Sequence, residues 1–285
     1  MLRVTALYRY PVKSCRGTAV ISAEVDARGF AGDRRFLVID GDGRFLTQRA
    51  HPRMALIETA LTERDLVLSS AGHGAVRVPL QPKTQNAKLK TVTVWNDTVA
   101  ADDCGDEPAA WLSGFLGFPC RLVHAGTAYA RPLPARKLPS GLQSLGDGGS
   151  ALDPRLSTGH EVSFADAFPF LVVSEESLAD LNARLDAPLP MNRFRPSLVV
   201  AGGAPFAEDT WARFRIGDVV FHSATRCGRC VVTTTDQSTA TRAKEPLLTL
   251  ATYRRDADGS VMFGRNLVHE TKTGRLAVGA AVELL

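Results

Sequence analysis

Phe214-Arg215-Ile216-Gly217-Asp218-Val219-Val220-Phe221 reads as a strand, a tight turn and a strand, and Leu276-Ala277-Val278-Gly279-Ala280-Ala281-Val282-Glu283-Leu284 repeats that pattern near the end of the chain. A glycine-containing turn between two apolar runs is the unit of small barrels whose sheet closes on itself. Working back toward the N-terminus, further β-like runs are predicted at Arg3–Tyr10, Thr18–Val25, Arg35–Ile39, Leu56–Leu61, Asp65–Ser69, Ala75–Val78 and Thr91–Ala100. Between two of them, Asp40-Gly41-Asp42-Gly43 is a hairpin signal, because these residues tolerate the positive φ of tight turns. Helices are few. One is predicted from about Glu107 to Leu116, with Asp106 as N-cap, Trp111 and Phe115 on one face and Gly117 as the stop. A second is predicted from Glu175 to Leu185 with Ser174 at its cap, and a third from Pro246, with Leu247, Leu250 and Ala251 as its apolar face. The fold class is α+β and β-rich: barrels with a few helices packed on them.

From Ala125 to Gly159 the composition shifts to Pro, Gly, Ser and Arg, as in Arg131-Pro132-Leu133-Pro134 and Gly146-Asp147-Gly148-Gly149-Ser150. A structureless stretch this long is uncommon inside a compact unit. The expected division is therefore a smaller N-terminal domain over 1–125 and a second domain over 126–285, with a linker or functional loop at about 126–159.

With 285 residues, 45% hydrophobic and 22% charged, the chain can bury a substantial core, which excludes disordered and fibrous classes. Apolar stretches such as Phe168 to Val173 are far shorter than the roughly 20 residues of a membrane helix, and no signal-peptide pattern follows Met1. No membrane association is expected. Five cysteines, an odd number at low density, argue against a secreted disulfide scaffold and for a reducing cytoplasm. The net charge of +4 is scattered rather than gathered in a basic block, so a small anionic ligand is expected in preference to nucleic acid.

Three features carry chemistry. Cys227-Gly228-Arg229-Cys230 has the spacing of a zinc half-site or of a redox dithiol. A structural zinc site wants a second such pair or paired histidines, and none is seen. A thioredoxin-type dithiol wants a helix start, whereas Val231-Val232-Thr233-Thr234-Thr235-Asp236 reads as strand. Two buried thiols, or one thiolate ligand for a soft metal with Arg226 and Arg229 nearby, complete the open readings. The second feature, Tyr10 to Gly17, offers the Lys13 charge, the Ser14 hydroxyl and backbone N–H groups to a phosphate, although it is not a P-loop and also fits a solvated turn. The third is a set of arginines, in Asp33-Arg34-Arg35, Gln48-Arg49 and Asn192-Arg193-Phe194-Arg195-Pro196, able either to pair with carboxylates or to fork onto an anion.

Seven motifs then occur in order: Tyr10-Pro11-Val12-Lys13-Ser14-Cys15-Arg16-Gly17, Phe164-x-Asp166-x-x-Pro169, Arg193-Phe194-Arg195-Pro196, Glu208-Asp209-Thr210-Trp211, Cys227-x-Arg229-Cys230-x-x-Thr233-Thr234-x-Asp236, Lys244-Glu245-Pro246-Leu247-x-Thr249-Leu250 and Phe263-Gly264-x-Asn266. Over essentially its whole length the chain resembles MOSC-domain proteins with a β-barrel N-terminal partner domain, the family of the molybdenum-cofactor amidoxime-reducing components and their bacterial relatives. The resemblance implies a pyranopterin molybdenum cofactor with Cys230 as metal ligand. It places Lys13, Ser14 and Arg34 at the cofactor's phosphate, Asp166 and Arg195 along its pterin, and Asn266 among the cofactor-binding residues. Ser197 stands where the family often has Asn after Arg-Phe-Arg-Pro, which alters one amide contact at that cofactor-binding position. Asp236 and His222 are read as a turn cap and a strand-surface residue.

The activity implied is removal of oxygen from N-hydroxylated substrates such as amidoximes or hydroxylamines. Some relatives carry a C-terminal ferredoxin domain, whose four-cysteine pattern is not found in these 285 residues. The expected electron source is therefore a separate protein: a ferredoxin, a flavodoxin or a cytochrome with its reductase. A different class remains open, a carrier of molybdenum cofactor or of sulfur on Cys230, because MOSC domains also resemble the C-terminal part of molybdenum cofactor sulfurases.

Overall fold

The structure, a computed structural model, describes residues 1–80, 88–133 and 160–285. The strands of the first half are β1 (Arg3–Arg9), β2 (Thr18–Val20), β3 (Ser22–Asp26), β4 (Gly29–Phe30), β5 (Phe36–Ile39), β6 (Glu58–Leu61), β7 (Asp65–Ser70), β8 (Gly74–Pro79), β9 (Leu89–Val94), β10 (Asp97–Asp103) and β11 (Arg121–His124). Those of the second half are β12 (Phe170–Ser174), β13 (Leu198–Ala201), β14 (Arg213–Ile216), β15 (Val219–Gly228), β16 (Met262–His269), β17 (Gly274–Ala277) and β18 (Val282–Leu284). Three α-helices are described: α1 (Asp106–Leu116), α2 (Glu175–Asn182) and the single turn α3 (Leu247–Leu250).

The chain is β-rich and built around a barrel. Its strand order is β18-β14-β15-β16-β12-β13-β1, with β2 on the far edge of β1. The ring closes where Val4 N donates to Ala280 O and Val282 N donates to Leu2 O, both at 2.9 Å. Val4, Leu7, Phe170, Val172, Leu198, Val200, Phe214, Phe221, Leu267 and Val282 fill its interior, and Phe30 of β4 joins them edge-on to Phe170 with centroids 5.0 Å apart. A buried side chain of this kind contributes roughly 1.5–3 kcal/mol, so this interior is the main source of stability for the C-terminal strands. β1 and β2, from the first 20 residues, thus belong to a barrel otherwise made of residues 170–284. The N-terminal half adds the sheet β5-β11-β10-β9 and the sheet β6-β7-β8, and the core between them also takes Leu112, Phe115 and Leu116 of α1. β5 serves two cores by strand alternation: Phe36 and Val38 enter one, Leu37 and Ile39 the other.

Several expectations need correction. Leu276 to Leu284 is not a hairpin. β17 pairs with β3 and β18 with β14, while Val278 N donates to Ile21 O and Gly279 N to Val4 O, so the segment between them is held by the N-terminal strands instead of folding back. The Thr18 to Val25 run splits into β2 and β3, which lie in different sheets. Thr91 to Ala100 is a hairpin that turns at Trp95 (φ 57°) and Asn96, pairing Val94 with Asp97. The run expected from Leu56 starts at Glu58, because Pro52–Leu56 forms a 3-10 turn. Val231 to Asp236 is not a strand either: Val231–Thr234 is a 3-10 turn, Thr233 N donating to Cys230 O at 3.0 Å. α1 is capped by Gly105 (φ 95°) rather than Asp106, which instead opens the helix as an acidic first-turn residue. α2 stops at Asn182, short of Leu185, with Ser174 as its cap accepting from Ser177 N. The Asp40 to Gly43 turn forms as expected, Gly43 N donating to Asp40 O at 3.2 Å. Gly146 to Ser150 lies outside the described residues.

Candidate functional site

The site grows from the corner between β1 and β5. Arg34 N donates to Tyr10 O (2.7 Å), Phe36 N to Pro11 O (3.0 Å) and Lys13 N to Phe36 O (2.9 Å), which fixes the two segments against each other. Phe164 N closes the third side by donating to Arg34 O at 3.0 Å. Tyr10 is the centre of this corner. Its ring is 2% exposed, its Oη donates to Pro196 O at 3.0 Å, and the guanidinium carbons of Arg34 and Arg195 each lie 4.4 Å from its centroid. A Cβ at Gly17 would come within 2.1 Å of the ring, so glycine is what admits the tyrosine.

Lys13, 5% exposed, donates to Phe164 O (2.8 Å) and is ion-paired with Asp166. Burial, partly opposed by Asp166, lowers its pKa to about 8. Burial acts to raise the Asp166 pKa, but Lys13 and Arg49 beside it hold the carboxyl well below the usual carboxylate range. The loop carrying Asp166 is fastened from beneath: the buried Arg131 guanidinium donates to Ser163 O and Ala165 O at 3.1 and 2.6 Å.

A cleft of about 260 Å³ opens at this corner, and Lys13, Ser14, Arg34, Asp166, Arg195, Ser197, Asn266 and Cys230 all line it. The structure therefore brings together all eight residues singled out in the sequence. Five cationic side chains, Lys13, Arg34, Arg49, Arg195 and Arg229, border it against the single carboxylate of Asp166. Its walls are otherwise apolar, chiefly Phe168, Phe170, Leu171, Phe194 and Val232. Ser14, Arg34 and Arg195 have φ of 67°, 48° and 53°, so three of the six described non-glycine residues with positive φ line this one cleft. Left-handed backbone at a non-glycine residue costs on the order of 1–3 kcal/mol and clusters at binding sites.

At the other end, β15 delivers Cys227 and the 3-10 turn begins at Cys230. Both thiols are free, as are the remaining three cysteines. Arg229 Nη1 donates to Cys227 Sγ at 2.9 Å and Nη2 to Phe194 O at 2.7 Å. Among the described residues no group of three or more His, Cys, Asp or Glu could hold a metal ion, so a metal at Cys230 would have to arrive with most of its own ligands.

A model of the MOSC N-terminal beta barrel domain matches residues 1–119, and a model of the MOSC domain matches residues 159–283. The chain belongs to the MOSC family. It is 37% identical over 295 residues to mitochondrial amidoxime-reducing component 1 of Homo sapiens, covering 99% of this chain and 82% of that protein. The same component of Mus musculus is 36% identical over 269 residues, covering 92% and 74%. The molybdenum cofactor sulfurase of Danio rerio is 32% identical over 285 residues, covering 94% of this chain and 32% of that longer protein.

Within this MOSC chain, the remaining candidates separate cleanly. Asp236 caps its own turn, accepting from Ser238 N (2.8 Å) and Thr239 N (3.0 Å), and is tied to Arg193 Nη2 at 2.9 Å. His222 lies on β15 with its Nε2 2.8 Å from Glu270 Oε2. Ser197 is fully buried, and its Oγ accepts from Leu171 N of the barrel at 3.4 Å. Asn266 Nδ2 donates to Thr225 Oγ1 at 3.1 Å. Residue-by-residue reading missed Tyr10 as an organiser, placed Arg229 beside a thiol as the structure does, and named Arg49 only among several arginines able to pair with a carboxylate or an anion. Arg49 donates to Asp166 Oδ2 at 3.3 Å and lies close enough to Cys230 to interact with its thiol, which with Asp166 keeps the guanidinium charged despite burial. The only sequence signal for it was the arginine-dense stretch at Gln48-Arg49.

Proposed function

We propose that the cleft holds a pyranopterin molybdenum cofactor, with the metal on Cys230, and that the protein is an oxidoreductase acting on N-hydroxylated compounds such as amidoximes and hydroxylamines. The observation that carries this reading is the lining itself: an anion-binding corner at one end and a free thiol at the other, on a chain closely similar to proteins named amidoxime-reducing components.

The residues fit such a group. Arg195 has no carboxylate partner among the described residues, and the buried Nε of Arg229 has no hydrogen-bond partner. A phosphate and a pterin rich in acceptor atoms satisfy such donors. Lys13, Ser14 and Arg34 hold the phosphate, Asp166 and Arg195 line the pterin, Asn266 and Ser197 border it, and the Cys230 thiolate supplies a soft donor to the metal. When bound, the group supplies a two-electron centre able to take oxygen from N–OH. Overall, an amidoxime, two electrons and two protons give an amidine and water. The chain's own contribution is positioning. Arg131 fixes the Asp166 loop, Tyr10 fixes Arg34 and Arg195, and Phe168, Phe170 and Leu171 keep water from one wall. Electrons come from a separate electron-transfer protein, and five free thiols suit a reducing compartment such as the cytoplasm. Among the described residues no helix is long and apolar enough to cross a membrane.

The similarity to a molybdenum cofactor sulfurase favours a second reading, a carrier that stores or delivers the cofactor or accepts sulfur on Cys230. Turnover separates the two. Protein made in a cofactor-competent host is mixed with an amidoxime and reduced methyl viologen, and amidine is measured. Catalytic amidine formation supports the reductase, and bound cofactor without turnover supports the carrier.

A further inference from the structure

A second cavity, of about 510 Å³, shares no lining residue with the cofactor cleft. The two lie on either side of one strand end, Arg34 lining the cleft and its neighbour Arg35 the cavity. One wall is apolar, formed by Phe36, Leu61 and Leu80. Facing it are three donor side chains, Arg28, Arg35 and His124, each incompletely used. Arg35 is only 9% exposed, yet among the described residues it donates through Nη2 alone, to the Asp26 carboxylate. Arg28 spends Nε on Glu161 Oε2 (2.7 Å) and Nη2 on Tyr129 O (2.9 Å), and its Nη1 has no hydrogen bond among the described residues. His124 lies against the Phe36 ring with centroids 4.7 Å apart and makes no side-chain hydrogen bond among the described residues. None of these spare nitrogens is sealed from solvent.

The cavity is backed by two histidines and a lysine. Behind the wall His269 Nε2 lies 2.7 Å from Asp26 O, and Lys272, which contacts His160 and donates to His269 O, sits beside the chain that leads into Glu161. Within the lining, Arg28 and Arg35 stand against the carboxylates of Asp26 and Glu161, and Asp102, paired across the sheet with His124, lies nearby, so what the cavity offers a ligand is free N–H groups rather than an excess of charge. A planar fork with free N–H groups recognises a planar carboxylate best, and the opposing Phe36, Leu61 and Leu80 surface calls for an apolar body.

We propose that this cavity binds a small organic carboxylate, its head on the unused N–H groups of Arg35 and Arg28 and its body against Phe36, Leu61 and Leu80. The site is independent of the cofactor reading, because no residue is common to the two.

The test is binding of benzoate, hexanoate, neutral benzamide and inorganic phosphate to the full chain by saturation-transfer NMR and calorimetry. Benzoate or hexanoate should bind, and benzamide should be about tenfold weaker or worse, the loss expected for a charge-assisted contact. Ala27→Trp, at the exposed rim of the cavity, and Arg28→Gln should each weaken carboxylate binding by about tenfold or more. Ala27 is solvent-exposed, so its variant keeps the test open if Arg28→Gln fails to fold. Arg195→Gln, in the other cleft, should leave carboxylate binding unchanged. Three results would overturn the proposal: no carboxylate binding up to about 10 mM, phosphate displacing bound benzoate as effectively as hexanoate does, or binding that is lost in Arg195→Gln and kept in Ala27→Trp.

Discussion

Ser14, Arg34 and Arg195 sit in left-handed backbone although none is glycine, and the cleft they line is where that strain is used. Ser14→Gly relieves about 1–3 kcal/mol of strain but adds about 0.5–1 kcal/mol of unfolded-chain entropy. Its melting temperature is therefore expected to hold or rise while cofactor content falls, because a hydroxyl donor is gone; calorimetry beside metal analysis reads both. Lys13 makes the phosphate end pH-sensitive. Between its folded pKa of about 8 and its ordinary value of 10.5 the unfolded chain binds the extra proton, so apo-protein stability rises with pH in that window. Anion binding has the opposite sign, since only the ammonium form attracts phosphate, and cofactor retention should fall as pH rises through about 8. Lys13→Arg, charged throughout, should flatten that profile in a dialysis series. At this scale the sequence was informative wherever residue type carries the chemistry, as with Lys13, Arg195 and Cys230. It was silent on Tyr10 and did not single out Arg49 from the other arginines, because the importance of each comes from where the fold puts an ordinary ring and one arginine among many.

Among the elements, β16 couples barrel to site. Gly264 has φ 79°, and a Cβ there would lie 2.8 Å from Val172 O and 2.8 Å from Val173 Cγ2 of β12. The backbone oxygen cannot yield, so Gly264→Ala should lose about 1–3 kcal/mol, a fall of roughly 2–4 °C in Tm per kcal/mol, and should shift Asn266 two residues on. Thermal denaturation with and without cofactor checks this; an unchanged Tm would mean that β12 and β16 are not packed as described. Strands written as short apolar runs between turn residues, such as β5 and β7, were legible from pattern alone, whereas β13 was not singled out. Where the reading failed, backbone detail that residue pattern does not carry decided. The β-branched Val231 to Thr235 run forms a 3-10 turn in which Thr233 and Thr234 hydroxyls donate back to Cys230 O and Val231 O at 3.0 and 2.8 Å. In β1 a bulge between Val4 and Ala6 turns Leu7, rather than Ala6 or Tyr8, into the barrel, and local alternation gives no sign of it.

Across the whole molecule, barrel closure joins the two ends of the chain. β1 lies between β13 on one edge and β2 with residues 280–282 on the other. We expect residues 126–285 expressed alone to stay unfolded or aggregate, with β13 left as an open edge, and to regain a cooperative transition when residues 1–125 are co-expressed. A stable 126–285 fragment with native-like dichroism would contradict that dependence. The barrel class was readable from strand spacing and glycine turns, but closure was not, because it pairs residues some 280 positions apart that share no local signal. The same closure sets the β1–β5 corner against the thiol-bearing end of β15, and the central claim is that one molybdenum cofactor spans the cleft between them. The most direct test is molybdenum and oxidised-pterin analysis of wild type, Cys230→Ser and Cys227→Ser made in a cofactor-competent host. We expect about one molybdenum and one pterin per wild-type chain, molybdenum lost in Cys230→Ser, and much of it kept in Cys227→Ser, whose hydroxyl can still accept from Arg229. Zinc or no metal in the wild type, or loss in Cys227→Ser with retention in Cys230→Ser, would contradict it.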